Sequence, residues 1–509
     1  MAYIIAYDLG TGGIKASLHD ERGTSLHTSF LSYDTRYPQP RWHEQKPLDW
    51  WNGVCASTAV LLEKSGAAPG DIVGLAVSGH SLVAAPLDAG GELLCEYVPI
   101  WSDTRATAEA AEFFREVDYA DWYGVTGNGD PAECYSVMKL MWMRRHQPEA
   151  FSRAAHFLGS KDYVNFRLTG KIATDPSYAS GTGLFNLLAW RYEDRFIEAA
   201  GLPKEKLPAI VPSHAPVGLV TAEAARATGL REGTRVYCGG VDNTCMALGA
   251  RGIGDERIYT SVGSSCWIAL TSRTPIIDHA LHPFIFAHAV EGYYTSGMSI
   301  FSGGSSYKWV RNQLCRDIAG EVDAFPLMNE LAAGVPPGSN GLIFNPSLAG
   351  GSLQEKSPYI AGAFLGMSLA TTREDMIRAT LEGVCLNLRV MLDGFENHVH
   401  LPPEMLLCGG GSKSLLWRRI FADIYDKTIV KTNIDQDAAS LGAAAMAALG
   451  SGMWDSYAPI DSLHEVEAVS EPTAANRETY RRLLDHFVKS ADFLSQLGEE
   501  MRLDRRELS

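Results

Sequence analysis

The opening stretch up to residue 31 constrains the fold more than any other. Short apolar runs at 3–7, 14–18 and 25–31 follow one another, with Asp20-Glu21-Arg22-Gly23 turning between the last two, the pattern of an antiparallel meander. Asp8 stands where the first run stops, and Gly10-Thr11-Gly12-Gly13 follows at once. Glycines there let the backbone turn tightly and present N–H groups to an anion, with Lys15 nearby on the returning strand. A carboxylate repels a phosphate, so the arrangement makes chemical sense around a bridging cation, for which magnesium is the natural candidate. Taken alone, the segment is equally an ordinary β-turn capped by an aspartate. It has neither Walker A spacing nor a GxGxxG fingerprint.

Further short apolar runs at 72–77, 98–101, 235–238, 258–260, 268–270 and 405–407 are separated by longer helical patterns, which predicts a mixed α/β chain. In the clearest helix Thr371-Thr372-Arg373-Glu374 offers a capping box, and Ile377, Leu381, Val384, Cys385, Leu388, Met391, Leu392 and Phe395 form one apolar stripe. A second helix is predicted over 414–425, just after Cys408-Gly-Gly-Gly-Ser412. The alanine-rich stretch 441–449 reads as a tightly packed internal helix, and no apolar run approaches the roughly 20 residues of a membrane span. Strand-then-glycine clusters recur at 8–13, 239–242 and 263–265, which predicts two similar lobes around a cleft, 1–246 and 247–509.

Lys and Arg number 44 against 60 Asp and Glu, a formal charge of −16, and no basic run forms a phosphate-tracking stripe. Nucleic acid is therefore not an expected partner. An anionic nucleotide would have to be held by backbone N–H groups, helix N-termini and a divalent cation. Nine scattered cysteines without a CxxC pair argue against a disulfide framework or structural zinc, and the N-terminus lacks a basic n-region, so a soluble cytoplasmic protein is expected, with no membrane partner. His279, His282, His398 and His400 lack the HExxH pattern, and no serine sits in a GxSxG elbow. Trp42, Trp50, Trp51 and Trp101 suit either a sugar-stacking or a core role. Asp242, after a strand and two glycines, is placed either to accept a proton from a hydroxyl or to cap a helix. The 409–412 turn fits a flat ring laid on bare backbone, or simply a loop.

The order of these signals is more specific than any one of them. Asp8-Leu-Gly-Thr with Lys15, Trp42-His43-Glu44-Gln45-Lys46-Pro47, Trp101-Ser-Asp103-Thr-Arg105, Gly239-Gly-Val-Asp242 and Cys408-Gly-Gly-Gly411-Ser together resemble the FGGY family of carbohydrate kinases. The stretches Ser136-Val-Met-Lys139, Lys161-Asp-Tyr through Asp175 to Ala179, and Gly362-Ala-Phe-Leu-Gly366 through Glu382 extend the resemblance over most of the chain. Within the family the pattern is most similar to that of xylulokinases. The resemblance implies two ribonuclease-H-like lobes of the actin and sugar-kinase superfamily, with ATP and sugar meeting in the cleft.

It further implies that Asp8 holds the magnesium site, that Gly10, Thr11 and Lys15 belong to the phosphate loop, and that Asp242 is the catalytic base. Gly263 and Ser264 would form the second phosphate turn, Gly304 a nucleotide-side glycine, and Gly410, Gly411 and Ser414 the adenosine pocket, while Gly79, His80, Asp103 and Asn243 fall on the sugar side. The implied reaction is transfer of the ATP γ-phosphoryl group to a primary hydroxyl of D-xylulose. Ribulose, erythritol, glycerol and gluconate are the alternative acceptors, and a non-catalytic sugar sensor or chaperone-like ATPase is a more distant alternative. Gly79, where the family pattern has a side chain, puts the choice of sugar in question. A homodimer is the default assembly.

Overall fold

The structure, a computed structural model, describes residues 1–251, 254, 256–318, 320, 323–352, 354–435 and 437–507. The opening meander forms as its alternation dictates: β1 (Tyr3–Gly10) pairs antiparallel with β2 (Gly13–His19), and β2 with β3 (Ser25–Ser32). On the other side of β1, β4 (Ile72–Gly79) runs parallel to it. β5 (Pro216–Leu219) pairs antiparallel with β6 (Arg235–Tyr237), and β6 and β7 (Gly240–Val241) both lie parallel to β4. The sheet order is β5-β6-β4-β1-β2-β3, with β7 beside the end of β4.

A second seven-stranded sheet repeats the plan. Its strands are β8 (Arg257–Val262), β9 (Cys266–Ser272), β10 (Phe284–Ala287), β11 (Tyr294–Ile300), β12 (Glu404–Cys408), β13 (Thr428–Thr432) and β14 (Val466–Ser470), in the order β10-β11-β9-β8-β12-β13-β14. β12 is parallel to β8, β13 is parallel to β12, and β14 closes the edge antiparallel. The register opposes Asp8 to Ser78 in the first sheet and Ser261 to Cys408 in the second. The turn that starts at Asp8-Leu-Gly-Thr11 thus has its counterpart in Ser261-Val-Gly-Ser264, and the second copy carries a serine where the first carries a carboxylate. By contact, the chain divides into two compact units, Met1–Asp255 with Thr271–Ser296 and Asp437–Leu463, and Glu256–Leu270 with Gly297–Gln436 and His464–Ser509.

The capping box of the long helix Arg373–Glu396 sits one residue later than the sequence reading placed it. Thr372 Oγ1 accepts the Asp375 N–H at 3.2 Å and Asp375 Oδ2 accepts the Thr372 N–H at 2.8 Å. Thr371 is spent on the preceding turn, where its Oγ1 accepts the Ser368 N–H at 2.9 Å. Two tandem threonines, each with an acidic residue three positions on, make the motif ambiguous until one hydroxyl is otherwise engaged.

The alanine-rich helix Ala438–Ser451 is almost wholly buried and packs against the helix Asp242–Gly249. Small residues are what allow that approach. A Cβ on Gly442 would lie 2.0 Å from the Cys245 carbonyl oxygen, and one on Gly249 would lie 1.8 Å from that of Ala438. Glycine at these two points therefore fixes the position of the helix that begins at Asp242. Gly442→Ala should force the helices apart and cost about 1–3 kcal/mol, seen as a lowered melting temperature. Gly320→Ala, where nothing lies within 4 Å, serves as the neutral control; equal melting temperatures for the two variants would contradict this packing.

Candidate active site

Asp8 and Asp242 come together because β1 and β7 flank β4 and run parallel to it. Ser78 of β4 opposes both Asp8 and Gly240, so strand spacings of about 4.8 Å bring the two carboxylates together at the C-terminal ends of these parallel interior strands. Asp242 opens its helix, where Val241 takes the N-cap position without a side-chain bond, and Asp242 Oδ1 accepts the Asn243 N–H at 2.8 Å. Burial raises the Asp242 carboxyl to about 7, and the negative charge of Asp8 adds to the effect. Burial also raises Asp8, opposed by the Ser78 hydroxyl, which donates to Asp8 Oδ1 at 2.7 Å, and by Lys15. Lys15 faces Asp8 across the β1–β2 ladder and forms an ion pair with Asp437, so a single ammonium serves two carboxylates. Among the described residues Lys15 is the cation that acts on Asp8. Among the described residues no group of three or more His, Cys, Asp or Glu side chains forms a metal cage. Asp8 and Asp242 instead fit a magnesium ion that takes one or two protein carboxylates and fills its octahedron with water and phosphate oxygens.

The Gly10–Thr11 turn beside Asp8 is clamped by its acceptors. Tyr33 Oη donates to the Gly10 carbonyl at 2.5 Å, Gln45 Nε2 to the Thr11 carbonyl at 2.7 Å, and Trp101 Nε1 to Thr11 Oγ1 at 2.8 Å. Open space lies where a Gly12 side chain would be. Trp101 therefore braces the turn, whereas Trp50 is core. Tyr33 and Ser78 went unread in the sequence, and Gln45 was read only as part of its motif, because no local spacing ties these residues to residues 8–11.

The sugar-side candidates lie deeper than the sequence reading placed them. Asp103 is fully buried. Its Oδ2 accepts the His43 N–H and the Arg105 guanidinium, both at 2.7 Å, and its Oδ1 accepts Arg105 Nε at 2.9 Å. His80 is buried edge-on to Trp50 with neither ring nitrogen hydrogen-bonded, and desolvation lowers it to about 3, so it is neutral. Buried Lys139 joins the two loops, donating to the Leu82 carbonyl at 3.0 Å and the Ile100 carbonyl at 2.6 Å, and burial lowers it to about 8. Half-buried Asn243 follows Asp242 directly. The side chain missing at Gly79 would not project into open space: its Cβ would lie 2.6 Å from Ser160 Oγ and 2.9 Å from the Lys161 backbone nitrogen.

In the second unit the nucleotide-side candidates also converge. The Gly304 N–H donates to the Gly263 carbonyl at 2.9 Å and the Ser305 N–H to that of Ser264 at 3.0 Å, so the helix Gly304–Leu314 starts on the Gly263–Ser264 turn. A Cβ on Gly304 would stand 2.3 Å from the Gly263 oxygen. Gly411 packs on Val262, next to that turn, and Gly410 has open space beside it. Ser414 Oγ accepts the Trp417 N–H at 3.2 Å and so caps the helix Leu415–Tyr425.

Comparison with known proteins agrees with this geometry. Residues 3–249 match the N-terminal domain of the FGGY family of carbohydrate kinases, and residues 258–451 match its C-terminal domain. The xylulose kinase of Bacillus subtilis is 30% identical, covering 95% of this chain and 96% of that protein. The gluconokinase of Bacillus licheniformis is 25% identical over 100% of this chain and 99% of its own length. The crystal structure of xylulose kinase from Rhodospirillum rubrum is 30% identical and superposes with a TM-score of 0.89, covering 98% of this chain and 100% of that one. With identity held over almost its whole length and both family domains matched, the chain belongs to the FGGY family of carbohydrate kinases and is an ATP-dependent sugar kinase.

Proposed function

We propose that the chain phosphorylates a primary hydroxyl of a neutral ketose, D-xylulose to D-xylulose 5-phosphate, with Asp242 as general base. The observation that carries this reading is the half-buried Asp242 carboxyl, raised to about 7 by desolvation and by Asp8 beside it at the strand ends. A base raised to that range is about half ionised at neutral pH and basic enough to take the hydroxyl proton as the bond to phosphorus forms. Asp8 would hold magnesium, which supplies charge neutralisation to the transferring group. Gly10, Thr11 and Lys15 would contact phosphate from the lobe 1–246, with Gly79, His80, Asp103 and Asn243 shaping the sugar side. Gly263, Ser264 and Gly304 would contact phosphate from the lobe 247–509, with Gly410, Gly411 and Ser414 around the adenosine. Because phosphoryl transfer passes through a loose transition state, these residues act mainly by positioning and charge stabilisation.

The charge balance favours a neutral sugar over a sugar acid. Arg105 is neutralised by Asp103 and Glu44, Arg41 by Glu133 and Lys15 by Asp437, while Lys139 donates to two carbonyls. The surplus carboxylates, Asp8 and Asp242, repel a substrate carboxylate.

Two measurements follow. Asp242→Asn keeps size and hydrogen bonding but removes the base, so kcat should fall by about 10²–10⁴ while the Kd for ATP changes little; turnover within twofold of wild type would reject the base. In a coupled ADP-release assay, kcat/KM for D-xylulose should exceed that for D-gluconate by at least about tenfold, or ~1.4 kcal/mol. Equal values would reject the neutral-sugar reading.

A further inference from the structure

A buried ionic cluster is hydrogen-bonded to the strand that leads into Asp242. Lys161 is fully buried, with Nζ 2.6 Å from Asp162 Oδ1 and 3.1 Å from Asp175 Oδ1. Lys161 Nζ also lies 3.4 Å from the Cys238 carbonyl, to which Asn165 Nδ2 donates at 2.8 Å. The other oxygen of Asp175 accepts from the hydroxyls of Ser177 at 2.5 Å and Ser213 at 2.8 Å. Ser177 Oγ in turn accepts the Val241 N–H at 2.9 Å. Val241 is the residue before Asp242.

The direction of each bond matters. An ionised carboxylate can only accept, so Asp175 takes the single Ser177 hydroxyl hydrogen and leaves a Ser177 lone pair for the Val241 N–H. Lys161 pairs with the opposite oxygen, Asp175 Oδ1, at 3.1 Å. The backbone here has little freedom of its own: Gly239 has φ +71°, and a Cβ on it would stand 2.0 Å from the Val77 carbonyl oxygen. The cluster also grips the sugar side, since Ser160 Oγ and Tyr178 Oη both donate to the His80 carbonyl, at 2.7 and 3.0 Å.

We propose that Ser177, oriented by Asp175 and Lys161, is a positioning residue that sets where the Asp242 carboxylate meets the substrate hydroxyl. The inference rests on Asp242 being the base. A displacement on the order of 1 Å at a reacting group can cost about a hundredfold in rate without loss of binding. Lys161 makes a poor probe, because removing it strands two buried carboxylates; Ser177→Ala removes only the oriented acceptor.

Ser177→Ala should lower kcat about 10- to 100-fold while KM for ATP and for D-xylulose stay within about threefold and the fold melts as wild type. In the Asp242→Asn background Ser177→Ala should slow the residual reaction no further, because its effect passes through that carboxylate. Should Ser177→Ala fail to fold, Asp175→Asn, which keeps shape but no longer compels the hydroxyl orientation, is measured in the same way. Wild-type kcat in Ser177→Ala beside an inactive Asp242→Asn overturns the positioning role and leaves the base in place, as does an undiminished extra loss in the double variant. Wild-type turnover in Asp242→Asn overturns both.

Discussion

Two half-buried carboxylates set the terms for the first unit. Asp8 and Asp242 are brought together at the C-terminal ends of parallel strands on either side of β4, and Lys15 already shares its charge with Asp437. Such an arrangement is unfavourable in isolation, since desolvation and mutual repulsion both oppose ionisation. A fold keeps such a pair where a ligand supplies the missing positive charge. Neighbouring groups are then spent on rigidity: the carbonyls of the Gly10–Thr11 turn are clamped, and the backbone before Asp242 is tied to a buried ion cluster.

The repeated sheet explains how the two units divide their chemistry. Both set a turn after the first strand of a meander, beside a parallel strand. In the first unit the turn follows a carboxylate, and in the second a serine, Ser261. The second turn thus keeps the same backbone path without a second carboxylate, and Gly304 closes on it more tightly than any side chain would allow.

Much of this was legible in the sequence where the signal is local. The meander, the Asp8 turn, the alanine-rich helix and the helix after Ser414 follow from alternation, glycine and capping chemistry within a few residues. The capping box slipped by one because Thr371 and Thr372 offered equal motifs. The clamps from Tyr33, Gln45 and Trp101 were not legible, since they join residues 23 to 90 positions apart. Asp103 was placed on the sugar side by its motif alone, and its pairing through both oxygens with Arg105, two residues on, was not legible there. Gly79 read as an absent side chain beside the substrate, whereas the space is filled by Ser160 and Lys161.

The charge repulsion at these strand ends is measured most directly by following the Asp242 carboxyl in metal-free protein by carbon-13 NMR across pH, in wild type and in Asp8→Asn. The account predicts a wild-type midpoint near 7, a lower midpoint once the neighbouring charge is removed, and a lower one again when magnesium is added to wild type. A midpoint in the ordinary carboxylate range, unmoved by Asp8→Asn and by magnesium, would contradict it.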